Sequence, residues 1–358
     1  MSSSLKQRIR EAAGLPARET ECIPCRAERN ARAEEFTGRI VVVLPSRNEA
    51  TPAAEGNKLL ATVEASRSSK APKTLLEFAV IDDASEDNCA QPLRDAPDVH
   101  LYRHAQPRGQ GVNRNLGVWL HPGARGYVEM DAHLEINRYG LETLVLDAEE
   151  TGGFVGCLSG NLNKRSDRTR RGGCRWNIVG SGEDLDLGCL RRKGYGITWI
   201  YAKKDAPRLM PVPIQRGACC AFTEATFRRF GGYSESYGFY GFADHDLAIR
   251  AYFLGIPSHV NTMVWARHWY RVLRPYPMAG QWTWWGYIES LRMMFRPETW
   301  RRVFEPAARK AARLNRDPMM EYLMRTPRFD AIQAAFEQCK QRTDEQTLEW
   351  MGIGAERA

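Results

Sequence analysis

The chain has 358 residues, 43% of them hydrophobic, with 51 Lys and Arg against 43 Asp and Glu and a net charge of +8. That is room for one large α/β domain with additions or for two modest domains, with an ordinary soluble core. No apolar stretch approaches the roughly 20 residues that cross a bilayer, and Met1-Ser2-Ser3-Ser4-Leu5-Lys6 lacks an apolar signal core, so a cytoplasmic protein without a membrane span is expected. The nine cysteines are odd in number and irregular in spacing, which reads as reduced thiols.

Residues 1–37 are polar and charged and read as an N-terminal extension. They hold a single CxxC, Cys22 to Cys25. A structural zinc site needs about four ligands and no second CxxC occurs, so a zinc knuckle would need distant partners. From Arg39 to Pro45 (RIVVVLP) the chain is continuously apolar and β-branched, as in a strand buried on both faces. Residues 52–66 are expected as a helix, Leu75 to Asp82 as a second strand, 86–94 as a short helix and Val99 to Arg103 as a third strand. Gly109-Gln110-Gly111 opens a helix to about Leu120, and Gly126 to Asp131 is a fourth strand closing on Asp131-Ala132-His133. Strands alternating with helices imply a mostly parallel sheet flanked by helices, with right-handed crossovers.

Phe154 to Ser159 reads as a strand, and 160–210 as a long Gly-, Arg- and Asp-rich excursion over the site. Within it, 164–204 carries 11 Lys and Arg against 4 acids, a local balance of +7 that makes up most of the total. Such a cluster suits a polyanion, or is a solvated basic loop. Val212 to Phe222 returns to strand character, Glu224 to Phe230 and Asp244 to Leu254 read as helices, and Ser258 to Val264 as a strand leading to Ala266-Arg267-His268. From Met278 the chain is expected to be helical, with Trp282, Trp284 and Trp285 as core or docking anchors and two or three further helices over 297–345. The division is thus 1–37 extension, 38–275 α/β domain, 276–358 helical region.

Four polar clusters fall at strand ends, where ligands bind in α/β sheets. They are Pro45 to Glu49, Asp82-Asp83, the group Arg108, Arg114 and Asn115 around the Gly-rich entrance, and Asp131 with His133. A carboxylate and an imidazole two residues apart past a strand can share one divalent cation. A strand-end Asp alone is often only a helix cap, so the ordered set is the informative feature.

The runs VVVLPSRNE, VIDDASEDN, RGQGVNRNLGV, YVEMDAH, RGACCAF, FRRFGGYSE, GFADHDLAIR and ARHWYR resemble glycosyltransferase family 2 and its relatives with the GT-A fold, over roughly residues 39–272. The Asp-x-His form and the later His resemble the polypeptide N-acetylgalactosaminyltransferases. The resemblance implies a metal-dependent transferase using a nucleotide-sugar, a UDP-sugar on this reading, and manganese. It implies that Pro45, Asn48 and Glu49 line the nucleotide pocket and that Asp82 or Asp83 contacts base or ribose. Arg114 and Asn115 would support the donor pocket, Gly217 and Ala218 would lie by the donor sugar, and Asp131, His133 and His268 would bind the metal. Asp244 matches the catalytic carboxylate of a Glu-Asp pair. Position 243 is Ala where the family has Glu, so Asp244 is the lone base for an inverting displacement, with retention as the alternative. His245 reads as structural.

For the acceptor, the basic stretch 164–204 favours phosphate contacts and hence DNA. A hydroxymethylated pyrimidine, in phage-type DNA modification in a host cytoplasm, is the leading expectation, with a glycan or a peptide as the alternatives. A noncatalytic nucleic-acid-binding protein on a transferase fold is the reading from another class.

Overall fold

The computed structural model describes residues 31–50, 56–162, 170–178, 182–185, 197–203, 205–215, 218–235, 241–270 and 280–353. The Cys22–Cys25 motif, Gly217 and much of the basic stretch 164–204 lie outside them. Strand β1 (Gly38–Ser46) sends Ile40, Val42 and Leu44 into one apolar layer and Val41 and Val43 into another, which is why its sequence is apolar throughout. Helix α1 (Lys58–Ser69) starts where the Asn57 side chain accepts from the Leu60 amide, later than the expected 52–66. Strand β2 (Thr74–Asp82) follows. The expected helix over 86–94 is only a 3₁₀ turn, Gln91–Leu93, because Ala84 and Asn88 before it have left-handed backbones (φ 59° and 54°).

Strand β3 (Val99–Arg103), helix α2 (Gln110–Trp119) and β4 (Gly126–Met130) follow as expected. Next come β5 (Leu134–Ile136) and helix α3 (Gly140–Thr151), two elements absent from the sequence reading. β6 (Phe154–Asn161) enters the stretch expected as an irregular excursion. That stretch instead contributes β7 (Arg171–Trp176), β8 (Ile197–Tyr201) and β9 (Leu209–Pro211). β10 begins only at Cys219 and ends at Phe222. Helices α4 (Glu224–Phe230) and α5 (Ala243–Phe253) precede β11 (Ser258–His268), which runs four residues past its expected end.

The order across the sheet is β3-β2-β1-β4-β10-β6-β11-β5, with β7 on β6, β8 on β7 and β9 on β11. From β3 to β4 all pairing is parallel. Beyond β4 the sheet is mixed, because β10 returns antiparallel to both β4 and β6 while β11 runs parallel to β6 and antiparallel to β5 and β9. Ser46 pairs with Asp82 and Asp82 with Arg103, so the carboxyl ends of β1 to β3 are level. The register of β11 on β6 slips between Asn261 and Trp265. There the Asn261 side-chain oxygen accepts from the Met263 and Val264 amides at 2.7 and 3.0 Å.

One face of the sheet packs on α1 and α3 and the other on α2, α4 and α5, giving three layers. On the second face Gly117 of α2 sits so close to β1 that an added Cβ would lie 2.3 Å from Val43 Cγ1. The chain closes with α6 (Gly280–Met294), a turn Pro297–Thr299 and a π-helical turn Trp300–Phe304. Helices α7 (Glu305–Asn315), α8 (Pro318–Arg325), α9 (Arg328–Glu337) and α10 (Asp344–Met351) complete it. Their core includes Trp284, Tyr287, Phe295, Phe304 and Phe329 and takes in Ile249 and Phe253 of α5, so these helices dock on the α/β layers. The anchor role expected of the tryptophans holds for buried Trp284 and for Trp285, whose Nε1 donates to Asp317 at 2.9 Å. Among the described residues no helix is long and apolar enough to cross a membrane.

Candidate active site

Asp131 follows β4 directly, and its amide donates to the Ala218 carbonyl at 2.9 Å, which ties it to the start of β10. The chain then passes to β5, where Leu134 is the ladder partner of His268, and the Trp269 amide donates to the His133 carbonyl at 3.1 Å. Backbone register thus brings together three side chains that are 137 residues apart at their extremes. Asp131 Oδ2 is 3.1 Å from His268 Nε2, and the His133 and His268 rings meet edge to face at 4.7 Å. One ligand atom from each of Asp131, His133 and His268 lies within 4.8 Å of the other two. Glu49 Oε2 sits 3.2 Å from His133 Nδ1; a carboxylate on one ring nitrogen fixes the ring and raises the basicity of the other. Desolvation pushes the Asp131 carboxyl up, but the hydrogen bond from His268 and the charges of His133, His268 and Arg114 outweigh it and hold the group down at about 2. An ionised carboxylate beside two imidazoles is a mixed oxygen–nitrogen donor set for a divalent transition metal such as manganese or zinc.

Of the remaining predicted residues, Pro45, Asn48, Asp82 and Asp83 lie at the carboxyl ends of β1 and β2, and Arg114 and Asn115 lie on α2. Pro45 pairs with Ile81 in the sheet. Asn48, with a left-handed backbone (φ 53°), donates its amide to Ser85 Oγ and accepts from the Glu86 amide at 2.8 Å, joining the ends of β1 and β2. Asp82 accepts from the Ser85 amide at 2.9 Å and from Arg103 at 2.7 Å. Asp83 accepts from the Arg108 and Gly109 amides at 2.7 and 3.2 Å and so pins the Gly-rich entrance of α2. Both carboxylates therefore brace the rim of the cleft. Asn115 is a brace too: its side chain donates to the Tyr233 carbonyl and Glu235 and accepts from the Tyr233 amide, all at 2.8 to 2.9 Å.

Beneath Asp131 lies a group that the sequence reading missed. Glu129 is 1% exposed in β4; its Oε2 accepts from Tyr233 at 2.6 Å, and among the described residues its Oε1 has no hydrogen-bond partner. Desolvation raises its carboxyl to about 7 against the opposing effects of Arg114 and Tyr233, with the charge of Asp244 adding to the rise. Arg114 lies 3.7 Å from Glu129 and 5.1 Å from the Tyr233 ring centroid. Burial works against its charge, yet Tyr233, Glu129, Asp244 and Asp131 together keep it firmly protonated. The signal was present in Gly126-Tyr127-Val128-Glu129-Met130: an acid in an otherwise apolar buried strand needs a partner.

Asp244 is half-buried in the first turn of α5, and its charge reaches Arg114 and Glu129. Phe242 sets that turn with a left-handed backbone (φ 61°) and stacks on His245 at 4.9 Å, so His245 is a core ring as expected. Asp246 is paired within the helix with Arg250 at 2.8 Å. Of the basic stretch, Arg170 donates to the Thr262 carbonyl at 3.2 Å, and Arg171 lies over Trp199 and Tyr270 at 6.0 and 5.6 Å.

Residues 41–195 match the sequence model of glycosyl transferase family 2. No curated protein matches the chain in sequence. Among solved structures, GalNAc-T7 with UDP, GalNAc and Mn2+ is similar at a TM-score of 0.63 and 16% identity, over 88% of this chain and 56% of that one. This chain thus spans little more than half of that protein, and at such identity the likeness concerns the fold alone. The mannosyltransferase PcManGT from Pyrobaculum calidifontis with GDP-Man and Mn2+ gives 0.45 at 18% identity (85% and 75% covered). S. aureus TarS 1–349 gives 0.45 at 13% (87% and 80% covered).

Proposed function

We propose, on the premise that this chain is a GT-A-fold glycosyltransferase with its family 2 region at residues 41–195, that it moves a sugar from a UDP-sugar to a hydroxyl acceptor at the Asp131–His133–His268 centre. The observation that carries this reading is the convergence of one carboxylate and two imidazoles at the carboxyl edge of β4, braced from behind by Glu49. UDP and Mn2+ in the GalNAc-T7 structure support the same donor and metal class here. A divalent ion held by Asp131, His133 and His268 would act as a Lewis acid on the departing diphosphate. Buried Arg114 adds fixed positive charge beneath it. Asp83 holds the Gly-rich rim in place. Asp244 takes the proton of the acceptor hydroxyl as the new glycosidic bond forms, and a single displacement of this kind inverts the anomeric centre.

The test is manganese-dependent hydrolysis of a nucleotide-sugar panel by the intact protein and by His133→Ala. Turnover of one UDP-sugar that needs both metal and His133 supports the proposal; no hydrolysis and no metal-dependent UDP binding overturns it.

For the acceptor, the balance of +7 over 164–204 supports a polyanion, and a hydroxymethylated pyrimidine in DNA is the acceptor proposed. Digestion of treated duplexes to nucleosides should show added hexose mass on hydroxymethylated DNA and none on unmodified DNA. No added mass on either turns the reading to a glycan or peptide acceptor.

A further inference from the structure

A second cluster of metal-ligand type lies away from the cleft, on the face of the sheet that packs on α2. Glu77 of β2 and His100 of edge strand β3 share that face, since His100 pairs with Ala79, two residues along from Glu77. His121, just past α2, completes the group. Glu77 Oε2 is 3.8 Å from both His100 Nε2 and His121 Nδ1, and the two rings stand 4.7 Å apart. One ligand atom from each residue lies within 4.8 Å of the others. Donors at 2.0–2.1 Å around a tetrahedral ion are separated by about 3.4 Å, so closing on an ion needs shifts of only a few tenths of an ångström for the Glu77 pairs. Glu77 precedes the Asp82 end of its strand by five residues, about 16 Å, so the cluster is separate from the donor cleft.

We propose that Glu77, His100 and His121 form a structural transition-metal site of the zinc type that clamps edge strand β3 to β2 and to the end of α2. Two imidazoles with one carboxylate select such ions over magnesium or calcium. The outer contacts fit ligation. His121 Nε2 is 3.2 Å from the Tyr102 hydroxyl, a partner that orients the ring and leaves Nδ1 toward Glu77. His121 is almost wholly buried and its backbone carbonyl accepts from Tyr127 at 2.7 Å, so this ligand is preorganised. His100 is 44% exposed in its side chain, which gives the ion an entry path and room for a water as fourth ligand. Arg39, which donates to Glu77 Oε2 at 3.0 Å, opposes the cation and must give up that bond on binding.

The experiment is a zinc titration of the full chain against a chromophoric chelator, with melting curves at each zinc level. The variants are His100→Ala, Tyr102→Phe and His133→Ala. His100→Ala removes an exposed side chain and should bind one equivalent fewer than the intact protein, lose the zinc-dependent rise in Tm, and keep manganese-dependent UDP-sugar hydrolysis unchanged. Tyr102→Phe should keep the equivalent but weaken it about 10- to 100-fold. His133→Ala, which reports on the cleft, should retain this equivalent whatever its donor chemistry does. Equal zinc stoichiometry in the intact protein and His100→Ala overturns the site and leaves the transferase proposal untouched.

Discussion

Glu49 Oε2 lies 3.2 Å from His133 Nδ1 across 84 residues of sequence, so the end of β1 holds a ring that follows β4. The resemblance assigned Glu49 to the nucleotide pocket; its contact with His133 supports a positioning role for it at the proposed metal centre. Glu49→Gln should weaken manganese binding about 10- to 100-fold while the UDP-sugar preference stays the same. Metal titration followed by tryptophan emission reads this, and an unchanged affinity removes Glu49 from the centre.

Asp244→Asn keeps the shape of the first turn of α5 and removes the proposed base. Its kcat should fall about 10²- to 10⁴-fold with metal-dependent UDP binding retained. Comparison of steady-state transfer with UDP binding separates the two, and equal loss of both would give Asp244 a binding role instead.

Gly111 lies in the first turn of α2 against the segment after α4, where an added Cβ would stand 2.1 Å from the Ser234 carbonyl oxygen. A backbone oxygen cannot swing aside as a side chain can. Gly111→Ala should cost about 1–3 kcal/mol and raise KM for the donor by moving the loop that Asp83 pins. Urea denaturation checks the first effect, and an unshifted midpoint refutes it.

Asp344, at the head of α10, is buried and receives Lys340 at 2.7 Å and the Arg296 amide at 2.9 Å. Desolvation alone would raise its carboxyl, but hydrogen bonds from Lys340 and Thr299, the Lys340 charge and the Arg296 amide hold it below the ordinary range. A lowered folded value means that its stabilisation is present above the unfolded value, about 3.9, and is lost as pH falls through the folded one. Asp344→Asn should therefore cost about 3 kcal/mol at neutral pH, with the gap to the intact protein closing below about pH 4. A gap that is constant from pH 7 to pH 3 would contradict this.

The parallel half of the sheet was legible because β1 to β4 carry their own period and apolar density, and their ends carry the polar clusters. Asp131, His133 and His268 were legible as residue types, and the register of β11 against β5 is what brings them together. β5 was missed because three residues with one acid, Leu134-Glu135-Ile136, make no pattern of their own; it is a strand only through β11. β7 was missed for the same reason, its run RGGCRW being paired mainly with β8, whose run ITWIY does carry strand character and was overlooked within a Gly-, Arg- and Asp-rich stretch. Asn48, Asp82, Asp83 and Asn115 were legible as residue types, and the hydrogen bonds that fix their positions at the strand ends and on α2 are what only geometry shows. Glu129 was overlooked because it was read as part of an apolar run.

The slip in β11 at Asn261 bears on how the length of this chain can vary. Side chains in a strand alternate between the two faces, so the number of residues between Asn261 and His268 decides which face receives the imidazole. Adding or removing one residue at 262–264 would turn His268 away from Asp131 while leaving the pairing of Ser258 to Asn261 intact. A change of two would turn it back. Length variants of this short stretch should therefore obey an odd–even rule for metal binding, and the odd ones should also lose stability because they turn buried Ala266 off the core face.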